Sequence, residues 1–183
     1  ASSYISYHSA LEYHGITHRQ FFTLYVSSES RFNNFEFENI HYSYCKSNLP
    51  EGIEAPSMNS LVKVTNLDRT VIDCFDRIDR AGGLEELIHA LSMLNYLNET
   101  KLLDYLEVYD KAFLYKKAGF VLSVFQNELK LTPDFINLCH HKETTHVNYL
   151  TDVQESDTFY KEWNIYAPKN ILSYLEQGAN ELI

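Results

Sequence analysis

The sequence predicts an α+β protein, with a small, mainly antiparallel sheet in the N-terminal third packed with a bundle of helices. Three observations carry that expectation. Aromatic and β-branched runs with two-residue alternation crowd the chain before Val64, and 3.6-residue apolar periodicity takes over from Leu84. No repeat, low-complexity segment or linker interrupts the chain, so residues 1–183 read as a single domain.

"SYHSALEYHG" offers Ser6 as an N-cap, Ala10, Leu11 and Tyr13 as helix body, and Gly15 as a stop. Phe21 to Val26 has strand composition. The run from Phe35 to Cys45 alternates Ile40, Tyr42 and Tyr44 against His41, Ser43 and Cys45, with Asn39 placed to break it in two. A polar loop with Pro50, Gly52 and Pro56 leads to a further strand at Leu61 to Val64. Helices are expected from Leu84 through Leu94, over Lys101 to Tyr109, and from Lys111 to about Gln126. Gly119 inside the last of these points to close helix packing. Thr132 followed by Pro133 is a helix start. "THVNYL" and "EWNIYAP" read as short strands, and Asn170 to Gln177 as a final helix.

A composition of 45% hydrophobic and 22% charged residues excludes a disordered chain. A formal net charge of −10 argues against the whole surface binding a nucleic-acid backbone, which requires clustered cations. A local exception is the stretch from Lys101 to Lys130, where five lysines face four acids and Lys111, Lys116 and Lys117 lie close together. No run of about 18 apolar residues and no signal-peptide pattern is present, so no membrane association is expected and the chain reads as soluble and cytoplasmic. Cys45, Cys74 and Cys139 sit in apolar settings without metal-type spacing and read as free thiols.

The densest charge pattern is "VTNLDRTVIDCFDR", Val64 to Arg77. Thr65 and Asp68 have the spacing of a capping box. Val71, Ile72 and Phe75 form a buried side, Arg69 and Asp73 are placed to pair one turn apart, and Asp76 and Arg80 repeat that spacing. "CHHKETTH" gathers Cys139, His140, His141 and His146, but consecutive helical residues point apart and cannot converge on zinc. Glu128-Leu129-Lys130 resembles the Glu-x-Lys of metal-dependent nucleases without a strand-borne acid to complete a site. Gly82 and Gly83 are suited to a helix entry, or to an anion at a helix N-terminus. Nothing reads as a phosphate-cradling loop or a nucleophile elbow. The residues therefore assign no catalytic, cofactor or metal role, and the chain is expected not to be an enzyme.

Five stretches, "YISYHSALEYHGIT" (Tyr4 to Thr17), "VKVTNLDRTVIDCF" (Val62 to Phe75), "AGGLEELIHAL" (Ala81 to Leu91), "KKAGFVLSVF" (Lys116 to Phe125) and "WNIYAPKN" (Trp163 to Asn170), resemble in order the AbiEi family of bacterial antitoxins. In that family the second stretch is a strand, a turn and an Arg-Thr-x-x-Asp helix, matched here by Arg69, Thr70 and Asp73. The resemblance implies the antitoxin half of an AbiE-like type IV toxin–antitoxin system of abortive phage infection. Its functional partner would be an AbiEii-like nucleotidyltransferase toxin, opposed without a stable complex.

The resemblance also implies an N-terminal winged helix-turn-helix that binds operator DNA and makes the full-length protein a transcriptional autorepressor. This chain opens on the "ISYHSAL" segment, so the C-terminal, antitoxic domain is the expected counterpart. The nominated functional surface is Arg69 and Asp73 together with Lys111, Lys116 and Lys117, with tRNA as a possible contact. Two alternatives stand beside it, a metal-dependent nucleic-acid-processing enzyme and a plain protein-interaction module.

Overall fold

The computed structural model describes residues 3–47, 49–55 and 62–177. Six strands build the N-terminal sheet: β1 (Ser3–Ile5), β2 (Thr23–Ser28), β3 (Phe35–Phe37), β4 (Ile40–Lys46), β5 (Ile53–Glu54) and β6 (Val64–Thr65). Their order is β3-β4-β2-β1-β6-β5. The pairs β1/β2, β3/β4 and β5/β6 are antiparallel, and β2/β4 and β1/β6 are parallel, so the sheet is mixed with antiparallel pairing in the majority. Glu38 and Asn39 both take positive φ, 50° and 63°, which closes the two-residue β3–β4 turn with the twist a hairpin needs. The break expected at Asn39 is this turn.

Among the described residues seven α-helices follow or interleave: α1 (Tyr7–Tyr13), α2 (Leu67–Asp76), α3 (Leu84–Ser92), α4 (Glu99–Tyr109), α5 (Ala112–Val124), α6 (Pro133–His141) and α7 (Ser173–Gln177). A second sheet of β7 (Asn148–Tyr149), β8 (Thr158–Tyr160) and β9 (Ile165–Ala167), in the order β7-β9-β8, closes the C-terminal part. One buried cluster runs through both parts, from Tyr7 and Leu11 of α1, through Ile72 and Phe75 of α2 and Leu87 of α3, to Ile165 of β9. The α+β architecture expected from periodicity is therefore the one observed.

Local differences have local causes. The strand expected at Leu61 to Val64 is displaced to Val64–Thr65, with Leu61 outside the described residues; Lys63 still contributes, because its carbonyl accepts from Ile5 N–H at 2.8 Å. The Thr65–Asp68 capping box does not form. Asn66 is the cap, its side chain accepting from Arg69 N–H, while the Thr65 hydroxyl bonds that of Thr70 at 2.7 Å. Asp68 instead accepts from the backbone N–H of Asn98, which is itself the cap of α4. The expected Asp76–Arg80 pair is also absent. Lys111 Nζ donates to Asp76 at 2.6 Å, and the Arg80 guanidinium lies 5.1 Å from the centre of the Tyr7 ring. Thr132 and Pro133 start α6 as expected. Gly119 has its reason in α6, since a Cβ there would stand 2.4 Å from Cys139 Cβ and 2.8 Å from the Trp163 ring.

Candidate functional site

Helix α2 carries Arg69 and Asp73 into the interior, where they are 1% and 2% exposed. Arg69 Nε donates to Asp73 Oδ1 at 2.6 Å, and Nη1 donates to the Glu51 carbonyl at 2.6 Å. The Tyr109 hydroxyl donates to the same Asp73 oxygen at 2.6 Å, so two donors from different helices share it. The guanidinium also lies about 6 Å from the Tyr105 and Tyr109 ring centres. Gly52 completes the enclosure with φ +71°, where an added Cβ would meet Tyr105 Oη at 2.6 Å. Burial pushes the Asp73 carboxyl above its ordinary value, opposed by the Arg69 charge and the Tyr109 hydrogen bond. For Arg69, burial favours the neutral form but the Asp73 carboxylate outweighs it and holds the proton on. The pair ties the loop around Glu51 to α2 and α4, and it offers no face to a ligand.

The lysines diverge. Lys111 spans from the start of α5 to Asp76, with its ammonium 5.2 Å from the Tyr109 ring centre. Lys117 lies 5.1 Å from the Phe113 ring centre, and burial lowers its pKa. Lys116 turns inward, 7% exposed, and donates to the carbonyl of His140 at the end of α6. Lys111 and Lys117 thus approach one region, the C-terminal end of α2, and Lys116 another.

That region is a cleft of about 360 Å³, where the cations Arg77 and Lys117 stand among the carboxylates of Asp76, Asp79, Asp152 and Glu155. Arg77 forks onto Asp79 at 2.9 and 2.6 Å. With acids outnumbering bases, the cleft repels a polyphosphate backbone and suits a ligand carrying positive or mixed charge.

Sequence reading missed a second buried charge, Glu86 of α3, which is 1% exposed. Its Oε1 accepts from the backbone N–H groups of His18 and Arg19 at 2.8 and 3.1 Å and lies 3.4 Å from His8 Nε2. Burial raises the Glu86 pKa, but His8 and the two backbone donors outweigh it and leave the carboxyl below its ordinary value. His89 stacks on His18 at 4.0 Å beside it. The only hint in the sequence is an acid pair, Glu85-Glu86, opening an otherwise apolar helix.

Among the described residues no group of three or more His, Cys, Asp or Glu side chains is arranged to hold a metal. Cys139 is buried against Gly119 with its thiol pushed up to about 12 by burial, and His141 bonds the Asn137 carbonyl. Glu128 and Lys130 are exposed in the turn after α5. Gly82 and Gly83, both at positive φ, form the entry to α3, with the Gly83 carbonyl accepting from Leu87 N–H. Cys45, Cys74 and Cys139 are free and buried. No described helix is long and apolar enough to cross a membrane.

No protein-family model matches the chain, and no curated protein matches it. Among solved structures it is similar to the RV2827C protein from Mycobacterium tuberculosis, with a TM-score of 0.67 and 12% sequence identity over 97% of this chain. The match spans 66% of the length of that protein. At so low an identity the likeness is one of fold.

Proposed function

We propose that the chain is the antitoxin domain of an AbiEi-like type IV toxin–antitoxin system and acts by binding rather than by catalysis. The observation that carries this reading is the stretch Val62 to Phe75, which forms a short strand joined through the helix cap Asn66 to a helix, close to the strand, turn and helix that the resemblance implies for its Arg-Thr-x-x-Asp pattern. Support also comes from the other four stretches, which fall on β1–α1, α3, α5 and β9 and contribute to one buried frame. A frame is not an acting surface. We assign the antitoxic surface to the rim of exposed Lys111 and Arg77 and half-buried Lys117, with Arg69 and Asp73 supporting it from within; Lys116, turned to the His140 carbonyl, lies apart from it. The opposed partner is a nucleotidyltransferase toxin, met in the cytoplasm without a stable complex, and operator repression belongs to a winged helix-turn-helix of the family type.

The test is expression of residues 1–183 beside the toxin encoded next to the gene, with a reporter on the shared promoter. Growth returns while the promoter stays active. A folded chain that leaves the toxin lethal sinks the reading.

A further inference from the structure

Toward β3 the outer face of the N-terminal sheet is apolar where a solvated sheet alternates to polar residues, and Phe32 packs edge-on against its Phe35 and Tyr44 rings. The register pairs Phe35 with Tyr42, Phe37 with Ile40 and Leu24 with Tyr42, which puts these side chains on one face. Tyr25 and Cys45, of opposite parity, belong to the core side. On the outer face Phe35 is 49% and Phe37 58% exposed, and the Phe35 and Tyr42 rings stack at 4.6 Å.

The same region has an open edge. β3 is the outermost strand, and among the described residues nothing pairs with its outer side. Sheet edges are commonly blunted by short length, charge, a proline or a bulge; β3 is three residues long and its one charge is the Glu36 carboxylate, which discourages a like-charged edge and admits a cationic one. Beside the β3–β4 turn lies a groove of about 420 Å³ with Phe21, Phe22, Leu24 and Ile40 as apolar walls and Glu12 and Glu38 as carboxylates.

Charge selects the occupant. Glu36 lies on β3 with parity opposite to the aromatic face, Glu38 stands in the β3–β4 turn and Glu12 in the groove beside it, and the whole chain carries −10. A nucleic acid would find stacking surfaces but meet repelled phosphates. A second copy of the chain would bring the glutamates of two β3 edges together. We propose that the β3 edge and its aromatic face dock an extended, basic segment of a partner protein, which adds a strand to the sheet. Its apolar side chains lie on Phe35 and Phe37, and a lysine or arginine enters the groove between Glu12 and Glu38. This surface is distinct from the Lys111–Lys117 rim and stands whether or not the antitoxin reading holds.

The probe is a fluorescent, end-blocked octapeptide of alternating lysine and valine, titrated into the intact chain. Comparisons are its glutamate–valine counterpart, a backbone N-methylated version that cannot form a ladder, and single-stranded oligo(dT). The lysine peptide alone binds, and it weakens by about tenfold or more, some 1.4 kcal/mol, with Glu36→Lys/Glu38→Lys and with Phe37→Ser. All three substituted positions are exposed, and circular dichroism verifies the fold of each variant. The proposal is overturned by no binding of the lysine peptide, by binding unchanged by both variants, by equal binding of the N-methylated or acidic peptide, or by preferential binding of oligo(dT). Concentration-dependent dimerisation abolished by Phe37→Ser also overturns it, because it gives the face to a second copy.

Discussion

Arg69 is among the largest fully buried side chains of the protein, and its charge is tolerable only because Asp73, the Glu51 carbonyl and two tyrosine rings surround it. Arg69→Ala removes the cation and strands the Asp73 carboxylate, which costs about 3–5 kcal/mol in a buried pair. Urea unfolding should show that loss, and Arg69→Met with Asp73→Leu should recover much of it by removing both charges. Glu86 gives a prediction in pH. Its carboxyl lies below the ordinary value of 4.5, so its contribution is complete above that pH and is lost as the pH falls through the lowered folded value. Glu86→Gln should therefore flatten the acid limb of the urea midpoint against pH and leave the neutral region with a smaller, constant loss. The Arg69–Asp73 pair was legible in the sequence because its partners are one helical turn apart. Glu86 was not, because His8 lies 78 positions away and nothing local distinguishes Glu86 from Glu85.

Among the elements, helices with a full apolar stripe were legible, and so were β7 and β9 from their aromatic and β-branched composition, whereas three other short strands were not. β1, β5 and β8 have two or three residues each, too few to display alternation, and they exist because neighbouring strands supply their partners. The start of α2 shows the other limit. Thr65 and Asn66 both qualify as caps by residue type, and the choice falls to Asn66 because it meets the Arg69 N–H while its amide reaches Tyr105 Oη at 2.8 Å. Gly119 was readable as a close contact without its partners, which are Cys139 and Trp163. Gly119→Ala forces α5 away from α6, and the expected cost is about 1–3 kcal/mol, the range for overpacking a filled core. Thermal unfolding checks it. A stability equal to or above wild type would show that α5 and α6 are not in tight contact there.

At the scale of the whole molecule, the residues that make the sequence recognisable are concentrated in the frame, and the residues free to meet a partner lie around it. Arg69, Thr70 and Asp73 are inside, whereas Lys111, Arg77 and the β3 aromatics are outside. The fold shared with the RV2827C protein at 12% identity fits that division, since a frame can persist while surfaces change. The candidate surface was only partly legible, because a lysine cluster in sequence divides in space once Lys116 turns toward His140. The most direct measurement of the proposed antitoxin role is growth rescue from a toxin encoded beside the gene, plotted against the amount of folded chain in the cell, for Arg69→Ala and for Lys111→Glu/Lys117→Glu. The account predicts that Arg69→Ala loses rescue only in proportion to folded protein lost, and that the lysine variant loses rescue at an undiminished folded level. Full rescue by the lysine variant, with loss of rescue by a fully folded Arg69→Ala chain, would contradict it.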